Sequence, residues 1–279
     1  MLTYRFLFQK MPLRPKKSYG QHFLADPLYC QRFVDFGGLE PLDAVLEIGA
    51  GTGQLTEALL GHCRRVIAVE SDPELVRCLQ KRFSSHLLSL QLIVLPTDIL
   101  SFDWDSIRHE TPFKLAGNLP YNISTRILAK MAESKNRFQT FTFMVQKEVA
   151  DRILAPVGSR DYSFFTLFME YHFFSLKGFD VPPGAFVPRP KVDSSVLQCR
   201  PRQRDWSQVH YTHCMQLLTK AFRHRRKTLW NNLKAFVPDR ERLGEVFDTC
   251  RIAPDVRPQR VDLAHYSCLS HMLEFVDFK

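Results

Sequence analysis

Residues 47–53, Glu-Ile-Gly-Ala-Gly-Thr-Gly, place three glycines directly after a short apolar run. Glycines at such a junction let the backbone turn tightly and approach a bound nucleoside closely. The spacing is G-x-G-x-G, which demotes an NAD loop, and no Lys-Ser or Lys-Thr follows as an ATP loop requires. Glu70 stands 21 residues after Gly49, where a second apolar run ends, and a carboxylate there can take both hydroxyls of a ribose. Asp98 closes a third run, where it can accept a hydrogen bond from an exocyclic adenine amine while the backbone of Ile99 addresses the ring. Singly, each residue reads as a turn glycine or a helix-capping acid. In register at three successive strand ends, Gly49 and Gly51, Glu70, and Asp98 with Ile99 point to S-adenosylmethionine.

Asn118-Leu119-Pro120-Tyr121 follows a fourth run and fits an amine acceptor. The N6 of adenine is a poor nucleophile because its lone pair is delocalised into the ring, so it must be drawn toward tetrahedral geometry by hydrogen-bond acceptors. The Asn118 side-chain carbonyl and the Leu119 main-chain carbonyl can each accept one N–H, while Pro120 constrains the loop without adding a donor. Tyr121 can stack on the base. Positive charge that develops on the amine is then met by fixed carbonyl dipoles and an aromatic face. The alternative is a strand-end turn with an ordinary core tyrosine.

The elements that must position these residues alternate. Short β-type runs at 44–48, 66–69, 90–95, 114–116 and 140–145 are followed by loops and helical patterns at 54–60, 73–82 and 147–154. Asp72 and Pro73 form a cap and first-turn pair. This rhythm predicts an α/β fold, a Rossmann-like doubly wound parallel sheet with ligands at the carboxyl ends of its strands. Residues 181–191 read as a proline-rich loop and 192–199 as a further strand. From about Trp206 onward the pattern is helical, which predicts a small all-α C-terminal domain. The expected organisation is a basic extension over 1–16, a methyltransferase domain over 17–203 and a helical RNA-binding domain over 204–279.

The chain of 279 residues carries 38 Lys plus Arg against 29 Asp plus Glu, a net charge of +9. The excess is concentrated. Residues 1–17 hold five basic residues and no acid, and residues 200–234 hold nine against Asp205 alone, the pattern expected when phosphates are the partner. The apolar stretch 163–176 is interrupted by Glu170 and His172, which excludes a membrane span. Met1 to Lys10 contains Arg5 and no small-residue cleavage pattern, so it is not read as a secretory signal. The seven cysteines include no C-x-x-C pair, which suits a reducing compartment without a disulfide framework. His210, His213 and Cys214 lack a second half at metal-ligand spacing, so no metal is expected.

With these residues in order, the chain resembles the KsgA-type small-subunit ribosomal RNA adenine N6,N6-dimethyltransferases. The likeness runs through Lys17-Ser-Tyr-Gly-Gln-His-Phe-Leu24, Glu47 to Gly53, Glu70, Asp98 and Gly117-Asn-Leu-Pro-Tyr-Asn-Ile-Ser124. It continues through Gln146-Lys-Glu-Val149, Val181 to Pro188, Pro190-Lys-Val-Asp-Ser194 and Phe222 to Leu233. The resemblance implies dimethylation of two adjacent adenines in a loop near the 3′ end of 16S rRNA, with S-adenosylmethionine as donor, late in assembly of the small (30S) subunit. It implies a cytoplasmic monomer.

By motif, it also implies cofactor contacts from His22, Leu24, Gly49, Gly51, Glu70, Asp98, Ile99 and Asn118. Asn118, Leu119 and Tyr121 orient the acceptor amine, Phe186 supplies a second stacking face, and Arg223, Arg225, Arg226 and Lys227 on a helix region engage RNA phosphates. The family's usual motif has Asn where this chain has His22, and an imidazole there can still donate. Three other readings are weighed. A large-subunit rRNA methyltransferase of the antibiotic-resistance type is disfavoured by the 117–124 and 222–233 matches, and an adenine-N6 DNA methyltransferase by the lack of an inserted target-recognition domain. A non-catalytic assembly factor would require loss of cofactor or acceptor residues, and only His22 departs.

Overall fold

The structure, a computed structural model, describes residues 21–104, 107, 113–203, 207–237 and 239–273. The basic extension over 1–16, the residues Lys17 to Gly20 of the first motif, and Arg204 to Trp206 at the expected boundary lie outside the described residues.

The chain divides into two compact units, one of residues 1–150 with 175–201, the other of 151–174 with 202–279. The first begins with β1 (Phe23–Leu24) and α1 (Pro27–Gly37), then alternates β2 (Ala44–Ile48), α2 (Gln54–Leu60), β3 (Arg65–Glu70), α3 (Pro73–Arg82), α4 (Ser84–Leu88) and β4 (Leu92–Pro96). It continues with β5 (Phe113–Asn118), α5 (Ser124–Glu133), β6 (Phe138–Gln146) and α6 (Lys147–Ile153), the last of these running past its end. After α7 (Phe164–His172), strands β7 (Phe173–Val181), β8 (Phe186–Val187) and β9 (Ser194–Pro201) complete the β-structure.

Seven strands form one sheet in the order β4-β3-β2-β5-β6-β9-β7. The five strands read from sequence pair in parallel, Leu46 lying beside Ile67 on one side and Leu115 on the other. The sheet then departs from the all-parallel expectation, because β9 pairs with β6 antiparallel, with Phe143 opposite Leu197. Strand β7 was read only as part of an apolar core stretch and a following loop. Its period-2 signal is hidden because the outward positions Phe174 and Leu176 are apolar too, and both are exposed. Chain order reverses between β2 and β5, so the crevice of a doubly wound sheet opens at their carboxyl ends.

Local chemistry fixes the helix starts. Asp72 accepts the Glu74 N–H at 3.0 Å with Pro73 in the first turn, and Asp26 likewise accepts the Leu28 N–H at 3.0 Å ahead of Pro27. The core under α1 and α2 joins Phe33, Val34, Leu55, Leu59, Val66 and Leu79.

The second unit is helical over α8 (Gln208–Ala221), α9 (Leu229–Leu233), α10 (Arg240–Thr249) and α11 (Leu263–Met272). It also takes in 151–174, which the sequence reading assigned to the first domain. The reason is visible in α7, where Ser163 and Thr166 form a capping box and Leu167 and Tyr171 pack in one cluster with Leu217, Leu218, Val246 and Phe247. The Tyr162 hydroxyl donates to the Val261 carbonyl at 3.2 Å, binding the recruited segment to the helices. Two cysteines depart from the thiol-only expectation: Cys250 and Cys268 are disulfide-bonded, joining the end of α10 to α11. Spacing concealed this pair, since 18 residues and a whole loop separate them.

Glu47 sits in the central strand and is 1% exposed. Burial pushes its carboxyl up to about 7, with the Glu70 charge adding to the rise and the Thr56 hydroxyl, donating at 2.6 Å, opposing it. A carboxyl raised on folding binds its proton more tightly in the native state. Its contribution is therefore present below the unfolded value and lost as pH rises from about 4.5 to about 7. Replacement by Gln removes that loss. In thermal or urea unfolding, Glu47→Gln is expected to gain on the wild type by about 3 kcal/mol between pH 4.5 and pH 7.5.

Candidate active site

The carboxyl ends of β2, β3, β4 and β5 surround an open cleft. Its lining holds Gly49, Gly51, Glu70, Asp98, Ile99 and Asn118, together with Leu119 and Tyr121. Thus one cleft brings together the expected adenosine residues and the expected acceptor loop.

The glycine loop is shaped by positive φ values, 72° at Gly49 and 60° at Gly51. A Cβ on Gly51 would also lie 2.9 Å from the Phe23 ring. The Gly51 N–H donates to Glu70 Oε2 at 2.8 Å, and the Asp72 N–H donates to Oε1 at 2.9 Å. These bonds hold the β3 carboxylate broadside to the cleft, and each oxygen keeps a lone pair for a hydroxyl donor. Burial raises the Glu70 carboxyl, against the lowering effect of the backbone bonds from Asp72, Gly51 and Ser71. Arg82 braces the same loop from α3, donating to the Thr52 carbonyl at 2.6 Å and pairing with Glu57 at 2.7 Å.

Asp98 is exposed at the end of β4, and its Oδ1 accepts the Leu100 N–H at 2.9 Å, which leaves Oδ2 for an amine. Asn118 ends β5, and its Nδ2 donates to the His22 carbonyl at 2.8 Å. That bond orients the amide and leaves Oδ1 buried without a hydrogen-bond partner. An orphaned acceptor costs stability unless a ligand donor meets it, so it is the strongest chemical pointer in the cleft. The Leu119 N–H is used by the Met144 carbonyl at 3.0 Å, which leaves the Leu119 carbonyl as the main-chain acceptor there. Tyr121 is pinned through its hydroxyl to Ser194 at 2.5 Å, and burial raises its phenol above the ordinary value.

Two expected residues are placed differently. Leu24 and Phe186 face one another as partners of β1 and β8 and belong to the buried core. Neither lines the cleft, and Phe186, at 1% exposure, presents no ring face for stacking. His22 does line the cleft, but its Nδ1 lies 2.9 Å from the Pro188 carbonyl and its ring stacks on Tyr121. Gln21, Phe23 and Thr97 also line the cleft and were missed. Their only sequence signal is adjacency to His22 and Asp98.

The basic cluster lies in the second unit, on an exposed turn between α8 and α9 and not on a helix. Arg225 is structural there: its guanidinium donates to the carbonyls of Arg160 and Tyr162, at 2.5 and 2.7 Å. Arg223, Arg226 and Lys227 are exposed beside it. His213 and Cys214, from the other sequence cluster, are buried among the helices, with His213 Nδ1 3.0 Å from the Ser270 carbonyl.

A doubly wound sheet with glycine turn, ribose-type carboxylate, amine-type carboxylate and Asn-Leu-Pro-Tyr loop at its strand ends defines the class of nucleoside-binding methyltransferases. The chain matches the family model of ribosomal RNA adenine dimethylase over residues 13–273, and it belongs to that family. It is 38% identical over 258 residues to ribosomal RNA small subunit methyltransferase A of Laribacter hongkongensis, covering 92% of this chain and 95% of the relative. The protein of that name from Geobacter metallireducens is 37% identical over 267 residues, covering 94% and 96%. Among solved structures, a dimethyladenosine transferase from Plasmodium falciparum superposes with a TM-score of 0.75 at 23% identity, covering 92% of this chain and all of that one. The 23S rRNA methyltransferase ErmE superposes with a TM-score of 0.69 at 25% identity, covering 90% and 99%.

Gly51 tests the cradle. Gly51→Ala forces a side chain into a left-handed backbone and against Phe23, and is expected to cost about 1–3 kcal/mol, read as a lower urea midpoint.

Proposed function

We infer that this protein transfers methyl groups from S-adenosylmethionine to the N6 amines of two adjacent adenines near the 3′ end of 16S rRNA, acting on the small ribosomal subunit precursor. The observation that carries the reading is the buried, unpartnered Oδ1 of Asn118, set between a ribose-type carboxylate and a pinned tyrosine. The donor's adenosine fits Gly49, Gly51, Glu70, Asp98 and Ile99, which supply close backbone and carboxylate acceptors. When bound, it provides an electrophilic methyl on a sulfonium.

The chain's own residues do the rest. Asn118 Oδ1 and the Leu119 carbonyl take the two N–H groups of the acceptor, which raises electron density on nitrogen. Tyr121 holds the base by its ring. The same carbonyl dipoles stabilise the positive charge that appears on the amine, and no strong base is needed because the methylated cation is acidic enough to lose its proton to water. No helix among the described residues is long and apolar enough to cross a membrane. The large-subunit reading is supported only by a shared fold with ErmE, whereas the relatives at 34–38% identity carry the small-subunit name.

Incubating unmodified small subunits with the protein and S-adenosylmethionine is expected to give two N6,N6-dimethyladenosines per subunit by nucleoside mass spectrometry. Asn118→Ala is expected to lower the rate about 10²- to 10³-fold, the loss typical of one charge-stabilising group. Cofactor binding with no methylated adenosine would overturn the reading. Exposed Arg223, Arg226 and Lys227 position RNA phosphates. Their joint replacement by Ala is expected to reduce the slope of log affinity against log salt by about 2, with cofactor affinity unchanged.

A further inference from the structure

We propose that Ser194 is a positioning residue for the acceptor base: its hydroxyl tethers the far end of Tyr121 and so sets the plane on which the base lies. This role rests on the rRNA adenine methyltransferase reading above. Ser194 closes the Pro190-Lys-Val-Asp-Ser194 motif, none of whose residues lines the cleft. It opens β9 and is 0% exposed, in a strand where Val196, Leu197 and Cys199 are buried too. A hydroxyl in such a place needs a hydrogen-bond partner. The Tyr121 hydroxyl meets it at 2.5 Å, across 73 residues of sequence.

Ser194 itself is firmly held. It stands opposite Gln146 in the antiparallel pairing of β9 with β6, and the Lys147 N–H donates to the Asp193 carbonyl at 2.9 Å. Its neighbour Ser195 donates to Asp180 Oδ1 on β7 at 2.6 Å, and Lys147 and Lys177 pair with the same carboxylate at 3.6 and 2.9 Å. The start of β9 therefore cannot shift without breaking contacts on both sides. Tyr121 needs such a fixed point because the turn holds its backbone. The Ile123 N–H donates to the Pro120 carbonyl at 3.2 Å, and the Ser124 hydroxyl donates to the Tyr121 carbonyl at 3.4 Å. Backbone bonds alone leave a choice of staggered χ1 wells, and a bond at the tip of the side chain selects one. The Tyr121 ring, which lines the cleft with Asn118 and Leu119, is thus fixed at both ends. Leu119 is referred to the sheet in the same way, its N–H donating to the Met144 carbonyl of β6 at 3.0 Å. The acceptor carbonyls and the stacking ring therefore take their relative placement from β6 and β9.

Ser194→Ala and Tyr121→Phe each remove the bond from one side, and the double variant removes nothing more of it. Calorimetric titration with S-adenosylhomocysteine counts intact sites and gives their affinity independently of activity. Methylation of unmodified small subunits at saturating S-adenosylmethionine, expressed per intact site, gives kcat and the KM for subunits. Ser194→Ala is expected to lose about tenfold in kcat, with KM and S-adenosylhomocysteine affinity within about twofold of wild type. Tyr121→Phe is expected to lose as much, and the double variant to lose about tenfold in place of about a hundredfold, because the same bond is missing in all three. Wild-type kcat in Ser194→Ala, or losses that multiply in the double variant, would overturn the assignment. So would a fall in S-adenosylhomocysteine affinity that matches the fall in kcat, which would make Ser194 a support of the whole cleft. Should Ser194→Ala not fold, Tyr121→Phe decides: wild-type kcat there would overturn the tether, and a loss of about tenfold at unchanged S-adenosylhomocysteine affinity would support it. Failure of the wild type itself to methylate subunits would instead remove the reading on which this role rests.

Discussion

The site depends on a single buried carboxylate used three ways. Glu70 closes β3, and its two oxygens take N–H groups from Gly51 and from Asp72. One bond fixes the glycine turn after β2, and the other fixes the turn that starts α3. Two strand ends are thereby locked in register with an acid between them, and the remaining lone pairs point to a diol. The arrangement is electrostatically tense, since Glu47 lies buried in the adjacent strand and the Glu70 charge raises it. The Thr56 hydroxyl, donating to Glu47, works against that rise.

A second constraint runs from β1 across to the acceptor loop. β1 is only two residues long, yet it pairs with β8, sends Phe23 against Gly51 and offers the His22 carbonyl to Asn118. This short strand therefore touches both halves of the cleft, the glycine turn and the Asn-Leu-Pro-Tyr loop. Leu24 and Phe186 are best understood as its anchors: buried side by side, they hold the strand so that its neighbours reach the ligands.

The legible parts of the sequence were those with local causes. Strands 44–48 and 65–70 announced themselves by apolar runs ending in glycine or acid, and the Asp72-Pro73 cap marked α3. Gly49, Glu70, Asp98 and Asn118 were legible because strand ends of a doubly wound sheet converge whatever the intervening helices do. What stayed hidden required knowledge of partners. β7 has apolar residues on both faces, the α7 segment belongs to a core supplied by residues from Cys214 onward, and Cys250 finds Cys268 only once α10 and α11 are packed. Phe186 was misplaced because an aromatic in a loop motif reads as a stacking face until its burial is known.

The basic turn shows why composition cannot apportion charge to function. Arg223, Arg225, Arg226 and Lys227 read as one phosphate-binding patch, yet Nη2 of Arg225 donates to two backbone carbonyls, at 160 and 162. Those carbonyls precede α7 and lie in the segment recruited to the second unit, so Arg225 closes that unit's own loop. A cation bound to carbonyls keeps its full charge and still contributes to the local potential, and here the two bonds occupy Nη2 alone of the three guanidinium nitrogens. Arg223, Arg226 and Lys227 are exposed on the same turn, and under the proposed function they would meet phosphates, which position RNA without reading its sequence. In the cleft of the first unit, Asn118 Oδ1 is buried without a hydrogen-bond partner and the Leu119 N–H is taken by Met144, which leaves the Leu119 carbonyl, a pair of acceptors that under the proposed function would meet the two N–H groups of one exocyclic amine.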